Sequence, residues 1–191
     1  MKRIAVFGTE STGKTTLAER LAKHFGVEWV PEYAREFWDK NGGVIGLEDM
    51  APIAREQWRR EDEAVKRAEK KCHVIRDTSG GARALVICDT EALTTMLWSD
   101  LLYGTCPEEV RRGAEKRCRN YALYLLCDID LPFAPDPQRC FPDPDDRAKA
   151  ARVWRGALER RGLPFVEIRG GGVERERAAV AAIGALLTRG H

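Results

Sequence analysis

The segment Gly8-Thr9-Glu10-Ser11-Thr12-Gly13-Lys14-Thr15 fits the pattern G-x-x-x-x-G-K-[ST] at every fixed position. Its glycines let the backbone curl until successive N–H groups point inward and form a nest for an anion. A helix opening near Lys14 adds its positive end to the same point. In such a loop the lysine reaches the β- and γ-phosphates of a nucleotide, and the next hydroxyl, here Thr15, ligates Mg²⁺. Thr16 offers one more hydroxyl to phosphate. The apolar run Ile4-Ala5-Val6-Phe7 precedes the loop and an amphipathic stretch follows it, as the motif requires. The reading is a nucleotide phosphate site, with ATP and Mg²⁺ as expected cofactors.

Such a loop needs a carboxylate at the end of a neighbouring strand to hold the metal or its water. Leu85-Val86-Ile87-Cys88-Asp89 supplies an apolar run and then an acid, so Asp89 is the metal candidate, with Thr90 beside it on the substrate side. The alternative for Asp89 is a cap on the helix starting near Glu91. Glu91 either helps bind metal or substrate, or only favours that helix N-terminus. A second acid lies in Val30-Pro31-Glu32-Tyr33-Ala34-Arg35-Glu36. Strand C-termini in parallel sheets line the ligand crevice, so Glu32 is placed to take a proton from an attacking hydroxyl and Arg35 to steady charge. The competing reading pairs Glu32 with Arg35 across one helical turn. Tyr33, Phe37, Trp38 and Trp58 are candidates for an aromatic box around a flat ring, although aromatics at helical spacing also serve as core.

Between Asp128 and Asp146 prolines and aspartates crowd together, which excludes helix interior and central strand. A long irregular loop in a compact domain suits a lid over a reactive phosphate. Arg139 within it is the expected contact to transition-state charge, with Arg147 just beyond. Arg139 pairing with Asp136 or Asp143 is the structural alternative. Past the last strand, Ile168-Arg169-Gly170-Gly171-Gly172 offers backbone to pass beside an adenine ring.

These residues need a scaffold, and the pattern of the chain supplies one. Short apolar runs alternate with helical patterns, as in a parallel α/β sheet. Strands are expected at 4–7, 27–30, 84–88, 121–127 and 164–168. Helices are expected at about 14–25, 33–40, 47–71, 93–103, 107–119 (with Pro107 at its first position), 145–161 and 173–187, and a loop at 77–81. The helix at 47–71 is dense in charge, and its thin apolar face implies that its inner side meets something other than a full core. No repeat or linker divides the chain, so one domain over residues 1–191 is expected, with the lid at about 128–147.

With 191 residues, 43% of them hydrophobic and 32% charged, the chain can bury a core without metal or disulfide. Its net charge of +2 is low for a protein living on nucleic acid or an anionic membrane. The start lacks the apolar run of a signal peptide, and no stretch reaches membrane-spanning length, so a cytoplasmic protein is expected. Cys72, Cys88, Cys106, Cys118, Cys127 and Cys140 form no C-x-x-C pair and match no zinc framework. His24, His73 and His191 are scattered and read as surface residues. The partner expected is a small-molecule substrate.

The chain resembles the ribosylnicotinamide kinase domain of the NadR-type proteins. The likeness rests on GTESTGKTTLAERLA at 8–22, PEYAREF at 31–37, ICDTEALTT at 87–95, LYLLCDIDLPFAPDPQR at 123–139 and PFVEIRG at 164–170. The resemblance implies an α/β P-loop kinase fold, a three-layer sandwich with a five-stranded parallel sheet in the order 2-3-1-4-5. It implies ATP-dependent phosphorylation of the 5′-hydroxyl of nicotinamide riboside, giving nicotinamide mononucleotide in NAD salvage. Carried over, Lys14 and Thr15 bind phosphate and Mg²⁺, Asp89 sits by the metal, Glu32 and Arg35 face the riboside, and Arg139 belongs to the lid. The sequence departs from the family in two ways. It starts at the first strand, so the adenylyltransferase and DNA-binding modules of multidomain relatives are expected to be absent, and no H-x-G-H signature is present. Pro137 stands where the family lid tends to carry glycine. Two other functions fit the motif: a kinase of another nucleoside or small alcohol, and a regulatory P-loop ATPase or nucleotide switch. The chain has no N-K-x-D motif, which lowers the GTP-binding version of the switch.

Overall fold

In the computed structural model, residues 1–74 and 85–188 are described, with side chains to residue 71 and from residue 85. The loop expected at 77–81, the side chains of Cys72 and His73, and His191 lie outside the described residues. Five strands, β1 (Lys2–Phe7), β2 (Trp29–Val30), β3 (Leu85–Asp89), β4 (Tyr121–Cys127) and β5 (Phe165–Ile168), form one sheet in the order β2-β3-β1-β4-β5. Every neighbouring pair is parallel. The sheet is that of a P-loop NTPase. Strands β1, β3 and β4 are flanked on both sides, and their runs are accordingly apolar on both faces. Strand β2 is shorter than expected because, at the edge, only Trp29 and Val30 keep register with Ile87 and Cys88.

The helices divide between the two faces. Helix α1 (Lys14–Phe25) and helix α7 (Gly172–Thr188) bury Leu17, Leu21, Ala179 and Ile183 against one side. On the other side lie α2 (Tyr33–Lys40), α3 (Met50–Val74), α4 (Ala92–Tyr103), α5 (Glu108–Arg117) and α6 (Pro144–Glu159). That layer holds Phe7, Tyr124 and Trp154 at its centre. Pro107 caps α5 instead of occupying its first turn, and α6 begins at Pro144, behind an Asp143 side chain that accepts from the Asp145 and Asp146 amides. Between β4 and α6, residues 128–143 carry no helix or strand.

Helix α3 shows what its thin apolar face meets. Glu61, in the middle of a charged run, is fully buried. Its carboxylate accepts from Tyr121 Oη at 2.5 Å, and Gln57 Nε2 donates to it at 3.4 Å. Nearby, Glu91 caps α4 through Leu93 N at 2.8 Å and accepts from Tyr124 Oη at 3.3 Å. Burial pushes Glu61 up to about 7 and Glu91 up to about 8, the second raised further by the charge of Glu61. Both acids therefore hold protons in the fold at pH values where the unfolded chain has lost them. Stability from this source is present at pH 5 and is lost as the pH rises towards 8. Glu91→Gln keeps the acceptor oxygen and cannot ionise. Its melting temperature is expected to match wild type at pH 5. By pH 8.5 it should exceed wild type by about 4–8 °C, the equivalent of about 2 kcal/mol. Thermal melts from pH 5 to 9 test this, and parallel curves would overturn it.

Candidate functional site

The phosphate loop joins β1 to α1, and its backbone carries the strain its shape demands. Gly8 has φ +149°, and a Cβ there would stand 2.8 Å from the Cys127 carbonyl oxygen, so β4 leaves room only for glycine. Gly13 caps α1 in the left-handed region, and Ser11 shares it at φ 55°. Lys14 Nζ donates to the Thr9 carbonyl at 2.6 Å and Thr12 Oγ1 to the same oxygen at 2.8 Å. Thr15 Oγ1 donates to Asp89 Oδ2 at 2.6 Å. Among the described residues, the other Asp89 oxygen, which is buried, has no hydrogen-bond partner.

A cleft of about 500 Å³ runs from this loop across the C-terminal ends of β3 and β2. Its donor end is walled by residues 10–16, including Lys14, Thr15 and Thr16. Glu32 and Thr90 line it as well. Its apolar and aromatic lining includes Trp38, Ile45, Met50, Ile53, Trp98 and Tyr103. Glu32 is raised above the usual carboxylate range by burial, opposed by the Lys14 charge and reinforced by Asp89. Asp89 is likewise raised by burial, against the pull of Lys14 and the Thr15 hydrogen bond. One lysine thus faces two carboxyls that compete for charge, an arrangement that favours handing a proton to one of them.

The segment after β4 folds over the cleft mouth, bringing Pro137, Gln138, Arg139 and Cys140 into its wall. Arg35 Nη1 donates to Asp136 at 3.1 Å, and Gln138 Nε2 to the Arg35 carbonyl at 3.3 Å. Arg139 donates to the Ala134 carbonyl and lies 3.4 Å from Ser11 Oγ. Arg147 supports this segment from below, donating to the Leu131 carbonyl at 3.2 Å and covering the Phe133 ring.

A family model described as an AAA domain matches residues 3–176. The chain belongs to the AAA-domain family. Comparison with curated protein sequences finds no match. Among solved structures, the AAA domain is similar to NadR protein in complex with NR, with a TM-score of 0.70 and 23% identity. That match covers 97% of this chain and 49% of the other, so the chain spans about half the length of NadR. Thymidylate kinase from Ehrlichia chaffeensis matches with a TM-score of 0.64 at 14% identity, covering 97% and 98% of the two chains. Deoxyadenosine kinase from M. mycoides, with products dCMP and dCDP bound, matches with a TM-score of 0.54 at 12% identity, covering 96% and 99%. At these identities the likeness carries the fold, a P-loop fold shared with nucleoside and nucleotide kinases.

Within this AAA domain the cleft brings together Lys14, Thr15, Thr16, Glu32, Arg35, Trp38, Thr90 and Arg139. Asp89 lies beneath Thr15, only 1% exposed. Glu91, not Asp89, caps α4, and Arg35 pairs with Asp136, not Glu32. Several expected residues are placed elsewhere. The Trp58 ring packs on Gly113 of α5, where a Cβ would come within 2.0 Å of it, and Arg117 covers its face. Tyr33 lies under Arg60, whose guanidinium is 4.3 Å above the ring, and meets Phe37 edge-on at 6.1 Å. None of Trp58, Tyr33 and Phe37 reaches the cleft, because α2 and α3 turn those positions toward each other and toward α5. The aromatic wall belongs instead to Trp98, stacked on Phe141 at 5.8 Å, and Tyr103, which join Trp38. Gly8 and Thr9 line a smaller cavity of about 190 Å³ beneath α6, so Thr9 serves the loop by its carbonyl.

Arg175 was not legible as a site residue. It is 2% exposed, and its guanidinium ties four backbone carbonyls together: Thr12 in the phosphate loop, Ile168 and Gly170 at the end of β5, and Asp128 at the end of β4. It also meets Asp130. In sequence it is one arginine in an alternating Glu/Arg run opening a helix, a pattern that reads as solvated.

Proposed function

We propose that the protein is an ATP-dependent kinase that phosphorylates the 5′-hydroxyl of a nucleoside, with nicotinamide riboside as acceptor and nicotinamide mononucleotide as product. The observation that carries the reading is one continuous cleft lined by the phosphate loop, the Glu32 carboxyl and an aromatic chamber. A nucleotide switch has no use for the chamber. An acceptor already bearing phosphate would need free cations in it, and Arg35 there is engaged by Asp136. A pyridinium riboside instead suits aromatic faces, which attract a cation. The likeness to NadR in complex with NR points the same way.

Mg²⁺ fits the oxygen donors present: the Thr15 hydroxyl and the buried, unpartnered Asp89 oxygen. Among the described residues no three His, Cys, Asp or Glu side chains gather, which suits an ion held mainly by phosphates and water. When bound, it would neutralise charge on the β- and γ-phosphates. Lys14 would exchange the Thr9 carbonyl for a phosphate oxygen. Glu32 would accept the proton of the acceptor hydroxyl as that oxygen bonds to the γ-phosphorus and the bond to the β–γ bridging oxygen breaks, releasing ADP. Arg139 would meet the transferred group from the lid side.

Coupled ADP release over a panel of nucleosides, with the product identified by mass, tests the proposal. Nicotinamide riboside is expected to stimulate turnover most, and no stimulation by it would overturn the assignment. Glu32→Gln is expected to lower kcat about 100-fold or more with ATP KM nearly unchanged. A change confined to the KM of either substrate would make Glu32 a binding group and not the base.

A further inference from the structure

The phosphate loop carries one acidic side chain, Glu10, that does not turn toward the phosphate nest. Its Oε2 accepts from the Cys140 amide at 2.9 Å and its Oε1 from the Phe141 amide at 2.6 Å. Hydrogen bonds from amides to a carboxylate are of the stronger kind. They fix the two residues that follow Arg139. The residues before it are fixed by a turn, in which Gln138 N donates to Asp136 Oδ1 at 2.9 Å and Arg139 N to the Asp136 carbonyl at 2.9 Å. Pro137 sits inside that turn and stiffens it. Phe141, the second residue held by Glu10, lies stacked on Trp98 of the acceptor wall. Between these anchors the Arg139 guanidinium reaches back to Ser11, next to Glu10 in the loop.

We propose that Glu10 is a positioning residue that sets Arg139 over the phosphate loop by gripping the lid backbone at residues 140 and 141. The loop that binds phosphate thereby also orients the cation that meets it. The Pro137 departure acquires a role: the stiff turn before Arg139 is already held by Arg35 through Asp136 and Gln138 and by Ser11 through the Ala134 amide, and Glu10 holds the chain after it. The inference rests on the kinase reading for its catalytic consequence and not for its geometry.

The test is a double-mutant cycle with Glu10→Ala and Arg139→Ala, joined by Glu10→Gln. Arg139→Ala and Glu10→Ala are each expected to lower kcat by about 10-fold or more, with ATP KM changed by less than about threefold. The double variant should be no slower than Arg139→Ala within about twofold, because the clamp acts only through that arginine. Glu10→Gln, which keeps one acceptor oxygen, should fall between. Losses that multiply in the double variant would overturn the proposal. A second readout needs no acceptor. Limited trypsin digestion of the whole protein, followed by mass, should cut after Arg139 several-fold faster in Glu10→Ala, with the melting temperature unchanged. An unaltered cleavage rate would overturn the clamp. Faster cleavage in a protein that phosphorylates no nucleoside would leave the clamp standing and remove the kinase reading.

Discussion

Lys14→Ala is expected to lower kcat about 10³-fold while leaving the fold intact. Both halves follow from the partners of one atom. Lys14 Nζ donates to the Thr9 carbonyl, but that oxygen also accepts from Thr12 Oγ1. Removing the ammonium therefore strands no buried acceptor, and the stability cost should stay below about 1 kcal/mol. Among the described residues, the same ammonium is the only lysine in the cleft wall. A cation on a transferring phosphoryl group commonly contributes 10²- to 10⁵-fold in rate. Coupled ADP release measures the first half and a thermal melt the second. Retained activity would remove the phosphate-loop assignment, and a collapsed melt would show that Lys14 is needed to hold the loop itself. The charge pattern adds a subtler expectation: Lys14 pulls against the burial that raises Glu32 and Asp89. Without it, both carboxyls should protonate at still higher pH, so residual activity should fall further in acid than wild type does.

The parts of the site that the sequence made legible are those where function dictates spacing along the chain. A phosphate nest needs glycines at set positions between a strand and a helix, and Gly8 and Gly13 occupy them for steric and conformational reasons visible in the fold. Asp89 was legible because a central strand is apolar until it leaves the sheet. What stayed hidden depends on contacts between distant segments. Periodicity put Trp58 on the inner face of α3, and it is there, but only the approach of Gly113 decides that its neighbour is α5 and not a ligand. The converse holds for Trp98: on an apolar helix with little polar contrast, nothing local separates a core tryptophan from a cleft wall. Glu61 was hidden by its neighbours. In a helix rich in exposed ion pairs, one acid that pairs with a strand tyrosine looks like the rest.

The largest stability effect is expected at Arg175→Met. Methionine approximates the length and bulk of the arginine stem, so the change removes charge and donors with little loss of packing. Four carbonyls, those of Thr12, Asp128, Ile168 and Gly170, would then each lose a charged donor in a region nearly closed to water. Truncating one partner in such a buried network costs about 3–5 kcal/mol, or about 10–15 °C in a domain of this size. Arg175→Lys should recover little, because a single ammonium cannot span acceptors that the planar fork reaches together. The loss should not be confined to stability. Arg175 joins the phosphate loop to the ends of β4 and β5, so freeing it lets Thr12 and Asp128 move apart, and ATP KM should rise in whatever fraction remains folded. Thermal melts and ATP titration of the two variants measure both effects. A melting temperature within about 3 °C of wild type for Arg175→Met would mean that water replaces the guanidinium and that the loop holds its shape without it.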